Sequence, residues 1–273
     1  MTTARRIPHR PRRGAGLLAG LALLLSGCMV PGLPLPLGPA PELGAEDVIT
    51  VRSPSGGMAG FFGESSISIG PKTITSRYTV PEDAVVYTVT RDLEPAERET
   101  AVEAVEDYLA WERRLSEDER VPCTDIPSTT VEVTGMTEHS STVQDCHEET
   151  PLRALLLTAR GMQDERVADL ARPSDTWRFE IGDREAYTTE TTLADGLALR
   201  QEGAASRDLG WDGTAALLAP INVLLLDGAA AGSCPEASEE LALTRETSPT
   251  ITLRFPLCPT GPTAEVAEVL RGG

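Results

Sequence analysis

The sequence predicts an α+β protein made of two tandem, duplicated modules of roughly 110 residues, each in the order β-β-β-α-ββ-α and each with one disulfide-closed hairpin. Three observations predict it. Apolar residues alternate at period two between glycine, proline and aspartate punctuation, which is the pattern of hairpin strands. Two longer stretches carry their apolar residues as helices do. Strands, cysteines and a terminal helix then recur at nearly one offset along the chain.

The upstream strands come first. Ser65 to Thr88 overlays Trp177 to Arg200 without a gap at an offset of 112, so that Ile67 meets Phe179, Ile69 meets Ile181 and Gly70 meets Gly182. Each copy opens on a short alternating strand, turns at a glycine, runs a longer strand, turns again at Pro81-Glu82-Asp83 or Ala194-Asp195-Gly196, and closes on a third strand. A helix follows in each. Pro95 suits a first helical position, and Ala101, Val102, Val105, Tyr108, Leu109 and Leu115 fall on one stripe. In the second copy Thr214 to Leu226 is almost wholly apolar, which predicts a buried helix that Pro220 kinks or breaks.

Cysteines bracket the next hairpin in both copies. Cys123 and Cys146 flank Thr129–Val133 and Ser141–Gln144; Cys234 and Cys258 flank Leu241–Thr244 and Thr250–Phe255, at offsets of 111 and 112. Four cysteines allow three connectivities, and duplication selects the pairs Cys123–Cys146 and Cys234–Cys258. A closed loop of about 20 residues is worth roughly 3 kcal/mol in the chain-entropy model, which matters for a small core. Leu152–Ala159 and Ala264–Leu270 give the closing helix of each copy, and Trp111, Trp177 and Trp211 are expected to supply core volume.

The start of the chain has a different character. It carries Arg5, Arg6, Arg10, Arg12 and Arg13 without an acid, then an apolar run from Gly14 to Leu25, then Leu25-Ser26-Gly27-Cys28. A basic start, a short apolar run and a small-residue cut site read as a secretory signal, and the run is shorter than the 20 or so residues a membrane span needs. In this region the chain resembles the bacterial lipoproteins, whose signal peptides end in a leucine, two small residues and a cysteine. The resemblance covers residues 1–28 and implies that Cys28 takes a diacylglyceryl group, that the signal is cut before it, and that the new N-terminus is acylated in turn. Two or three acyl chains anchor a protein stably to a membrane, here at the extracytoplasmic face. Gly14-Ala15-Gly16 follow the Arg12-Arg13 pair where twin-arginine signals carry apolar residues, which favours general secretion.

The domain plan is therefore a signal peptide over 1–27, a lipidated cysteine and tether over 28–45, a first module over 46–160 and a second over 161–273. Pro31, Pro34, Pro36, Pro39 and Pro41 exclude helix from the tether and favour extended polyproline conformation, a spacer of up to roughly 50 Å at about 3.1 Å per residue. Beyond residue 27 stand 42 acids against 19 bases, a formal charge of −23. Such a chain repels nucleic acid and anionic headgroups, so neither is an expected ligand. With Cys28 set aside the cysteines are even in number, as an oxidising compartment favours.

Chemistry is sparse. Only His139 and His147 lie beyond the signal, too few for the base of a nucleophilic triad near each candidate, and no nucleophile elbow, phosphate loop or zinc-protease pattern occurs. The glycine-rich Ser55–Gly60 segment lacks the lysine and hydroxyl of a phosphate loop. Glu138, His139, Asp145, His147, Glu148 and Glu149 resemble a metal cluster in composition, but the two histidines are about 26 Å apart along a strand. Glu99, Glu103 and Glu106 fall on one helical face with Asp107 beside them, and Arg98, Arg113 and Arg114 are expected to compensate them in part. No cofactor or metal is expected. The leading expectation is a non-catalytic envelope lipoprotein that binds an envelope protein, a wall component or a small ligand. A carboxylate-dependent hydrolase and a lipid carrier built on the apolar Thr214–Leu226 stretch are the alternatives.

Overall fold

The computed structural model describes residues 42–55, 62–115, 128–144, 150–183, 185–192, 196–201, 203–228, 234–247 and 249–272. The first module runs β1 (Val48–Ser55), β2 (Gly63–Ile69), β3 (Thr73–Thr79), β4 (Val85–Asp92), α1 (Pro95–Glu112), β5 (Ser128–Thr134), β6 (His139–Gln144) and α2 (Pro151–Gly161). The second runs β7 (Trp177–Ile181), β8 (Glu185–Thr192), β9 (Gly196–Gln201), β10 (Ser206–Asp208), α3 (Gly210–Asp227), β11 (Glu240–Arg245), β12 (Ile251–Pro256) and α4 (Pro262–Arg271). Each makes a six-stranded antiparallel sheet, in the orders β4-β3-β2-β1-β5-β6 and β10-β9-β8-β7-β11-β12. The two modules thus share one topology, with four strands before the helix rather than three.

The additional strand corrects the overlay. β7 lies between β8 and β11, as β1 lies between β2 and β5. Trp177–Ile181 is therefore the counterpart of β1 and not of β2. The cause is a change of offset along the chain: β2 starts at Gly63 and β8 at Glu185, 122 residues on, whereas β5 starts at Ser128 and β11 at Glu240, 112 residues on. A comparison without gaps absorbs that difference by slipping one strand.

Helix starts follow local chemistry. Pro95, Pro151 and Pro262 each stand at the beginning of a helix, where the missing N–H is an orphan in any case. Glu94 and Glu97 close a reciprocal capping box on α1, and the Thr150 hydroxyl accepts from the Arg153 amide on α2. The stripe of α1 buries Ala101, Val105, Tyr108 and Leu109 as its spacing requires. α3 departs from expectation, because it runs unbroken through Pro220. The carbonyl that Pro220 leaves without an amide belongs to Ala216, an exposed residue.

Each sheet covers one face with helices and leaves the other open. In the first module Ile49, Val51, Ile67, Ile69, Val131 and Val133 meet α1 and α2 in one core. The second core is larger and crosses the module boundary, since Tyr78, Val86, Tyr87 and Val89 of β3 and β4 pack with α3 and the second sheet. Asn222 fastens this junction. Its Oδ1 accepts from the Ala171 amide at 2.6 Å, and its Nδ2 donates to the carbonyls of Ala171 at 3.2 Å and Val86 at 3.3 Å. Of the three tryptophans, Trp177 is fully buried, while Trp111 and Trp211 are half-buried at the margins of the two cores.

Asp47 fixes the start of β1. Its buried carboxylate accepts from the amides of Gly44 at 2.8 Å, Met136 at 2.5 Å and Thr137 at 3.2 Å, joining the incoming chain to the β5–β6 turn. Gly135 has φ of +138°, and a Cβ there would collide with the Asp47 carboxylate. Burial pushes this carboxyl up, but the amides of Gly44, Thr137 and Met136 with the Thr137 hydroxyl outweigh it, so the group sits below its ordinary 3.8. A depressed carboxyl contributes stability that is present above the unfolded value and lost as pH falls through the folded one. Asp47→Asn is expected to cost about 2 kcal/mol at neutral pH, and the gap to the unaltered protein closes below pH ~4. Urea unfolding at a series of pH values checks both.

Candidate functional site

Of the residues singled out from sequence, Cys234 and Cys258 are joined. Their Cα atoms are 5.7 Å apart, and the bridge closes the β11–β12 hairpin within one module. Cys28, Cys123 and Cys146 lie outside the described residues, as do Asp145, His147, Glu148, Glu149 and Gly56–Gly60. His139 is on β6 with its Nε2 3.1 Å from the Ser141 hydroxyl, which lies 2.6 Å from the Tyr108 hydroxyl. The imidazole thus belongs to a polar chain over α1. Among the described residues no group of three or more His, Cys, Asp or Glu side chains comes together as metal ligands.

The acidic face of α1 borders an open groove of about 700 Å³ between α1 and α2. Glu103 and Asp107 of α1 line one wall, and Arg153 and Leu157 of α2 line the other. Compensation by Arg98 is corrected here, because its guanidinium donates to the backbone carbonyls of Asp47 and Ile69. Arg114 likewise donates to the Ala110 carbonyl. Both guanidiniums are engaged by main-chain carbonyls, a use that sequence spacing does not reveal.

A second, smaller cleft of about 550 Å³ lies at the β7–β8 turn, lined by Glu180, Asp183, Glu185, Glu239, Glu240 and Arg254. Its best-defined carboxylate is Glu185. The Arg271 guanidinium, at 3.1 and 3.2 Å, holds that carboxyl below its usual range, and the Tyr187 hydroxyl donates to it at 3.0 Å. A general acid for hydrolysis needs the opposite shift. Asp47, Glu97 and Asp164 also move down, each under hydrogen bonds from amides or arginine.

The apolar run of α3 packs rather than lining a void: Leu217, Leu218, Ile221 and Leu224 are completely buried in the shared core. No described helix is long and apolar enough to cross a membrane. What remains open is the outer face of each sheet. On the first sheet Thr50 and Ser68, Thr75 and Thr90, and Thr130 and Thr142 pair their hydroxyls across strands at 2.9 to 3.0 Å, and Arg52 meets Glu132 at 2.9 Å. The sequence pattern puts Ser68, Thr75, Thr130 and Thr142 on strands without a role, and it leaves out β1, which carries Thr50 and Arg52. The signal is present in the alternation, where most outward positions bear a hydroxyl. The sequence matches no protein-family model, no curated protein and no solved structure.

Proposed function

We propose that the protein is an extracytoplasmic lipoprotein, held to the outer face of a membrane through Cys28 and a proline-rich tether, and that it serves as a non-catalytic binding protein of the cell envelope. The carrying observation is the run Leu25-Ser26-Gly27-Cys28 after a basic start and a short apolar segment. The Cys234–Cys258 bridge suits an oxidising compartment. A binding role is supported by the filled cores, by carboxylates held ionised in ion pairs and amide nests, and by two wide polar sheet faces left open to solvent.

Substitution of Cys28 tests the anchor. In the bacterium, the unaltered protein is expected in the membrane fraction with an N-terminal peptide that carries acyl mass on Cys28. Cys28→Ala is expected to lose that mass and to leave the lipoprotein processing route. An N-terminal peptide that begins elsewhere, or a Cys28 thiol free of lipid in the unaltered protein, contradicts the reading.

A further inference from the structure

The two outer sheet faces hold the same row of side chains. In the first sheet, cross-strand partners link Thr142, Thr130, Arg52, Ser66, Arg77 and Thr88 from β6 through β5, β1, β2 and β3 to β4. In the second, they link Thr252, Thr244, Arg178, Thr188, Arg200 and Ser206 across the corresponding strands. Strand by strand the types agree: threonine, threonine, arginine, a hydroxyl, arginine, a hydroxyl. Exposure agrees too, with the second and fourth positions half-buried and the others exposed in both rows. Even the local bonding repeats, since Thr130 and Thr142 pair their hydroxyls at 2.9 Å and Thr244 and Thr252 pair theirs at 3.0 Å.

Folding does not account for this agreement. On the helix-facing side of the same strands the modules differ: Ile49 and Val51 fill the centre of one sheet, and Trp177, Phe179 and Ile181 that of the other. Solvent-facing substitutions usually change stability by no more than about 0.5 kcal/mol, so the outer row is the part that packing constrains least. Strand propensity favours threonine, but it does not put arginine on the first and third strands of both modules. A feature kept where the fold is indifferent, while the core beneath it changed, marks a binding surface.

We infer that each row is a docking track for a linear, uncharged glycan strand of the cell envelope. Strands about 4.8 Å apart make a six-strand row about 24 Å long, suited to a polymer rather than a compact ligand. The hydroxyls both donate and accept, and the guanidiniums offer planar forks of donors. Three of the four arginines in the two rows have a carboxylate beside them: Arg52 pairs with Glu132 at 2.9 Å, Arg178 with Glu180 at 3.0 Å and Arg200 with Glu190 at 3.7 Å. A polyanion meets those glutamates and a strongly acidic protein, and a polycation meets the arginines. A neutral polyol satisfies donors and acceptors together. The two arginines of each row stand two strands apart, about 10 Å. In an extended β-1,4-linked glycan every second sugar presents the same edge, so the period of the track suits the period of the polymer.

This inference rests on the envelope-binding reading above, and the purified soluble chain from residue 29 onward tests it without the anchor. The probes are insoluble chitin and cellulose, with soluble poly-glutamate as the anionic counterpart. Cosedimentation with at least one neutral glycan is expected, with little change between low and high salt, since no counterions are released. Arg52→Gln/Arg77→Gln and Arg178→Gln/Arg200→Gln are each expected to weaken binding about tenfold, and the fourfold variant to abolish it, with Arg160→Gln on α2 unchanged. Circular dichroism on the same samples reports whether the exposed substitutions leave the fold intact. Failure to bind either glycan, binding that the fourfold variant retains, or steeply salt-dependent binding to poly-glutamate each overturns the inference. Capture of an envelope protein independently of both rows overturns it too, while leaving the broader binding role standing.

Discussion

Replacing Asn222 by alanine lowers the free energy of unfolding by about 3 kcal/mol, because it leaves the buried Ala171 amide and two carbonyls facing a space with no partner. The effect is large for a single amide because it ties three parts of the chain together. Val86 belongs to the first sheet, Ala171 to the segment between modules, and Asn222 to the helix that packs on both. Asn222→Asp separates hydrogen bonding from shape. Its carboxylate still accepts from the Ala171 amide but turns negative oxygen toward two carbonyls in a buried site. Its folded pKa is therefore raised, and a raised carboxyl favours the folded state increasingly as pH falls. The aspartate variant is expected to be at least as unstable as alanine at neutral pH and to recover part of the loss in acid. Denaturant midpoints at two pH values decide it. A midpoint for Asn222→Ala within 0.5 kcal/mol of the unaltered protein contradicts the fastening role.

Removal of the Cys234–Cys258 bridge is the second large effect. The linked residues are 24 apart in sequence, a loop for which chain entropy predicts about 3 kcal/mol. The hairpin it closes contributes Leu241, Leu243 and Phe255 to the shared core, so loosening it weakens the whole second module rather than a surface loop. Cys234→Ser/Cys258→Ser is expected to shift the urea midpoint accordingly. Addition of a reductant to the unaltered protein produces a shift at least as large. Peptide mapping without reduction checks the connectivity, and a cross-link from either of these cysteines to Cys123 or Cys146 contradicts it.

Several elements were legible because their determinants are local. Pro95 with an apolar stripe, Thr150-Pro151 before a second stripe, and the cysteines around the last hairpin each act within a few residues. The strand β1 was not used, although Val48-Ile49-Thr50-Val51 is a β-branched run directly after the tether. Its omission let a comparison without gaps match the wrong strands. Continuity of α3 through Pro220 goes with the exposure of Ala216, which tertiary packing sets. Asn222 was visible only as one amide inside an apolar run, with no indication of its distant partners. The twin rows lay furthest from view. Alternation shows which residues point outward on each strand, but the register between strands decides which of them share a row, and that register includes a shift at Tyr78 and Thr79.

The position of β1 has a mechanical consequence. The chain upstream of Val48 leads into a strand that is hydrogen-bonded on both sides, to β2 over Ile49–Ser55 and to β5 over Val48–Arg52. Any pull transmitted from the N-terminal side along the strand must therefore shear two ladders at once, whereas a pull on an outermost strand peels a single ladder bond by bond. A protein tugged from its N-terminus is built to hold at the place where the load arrives.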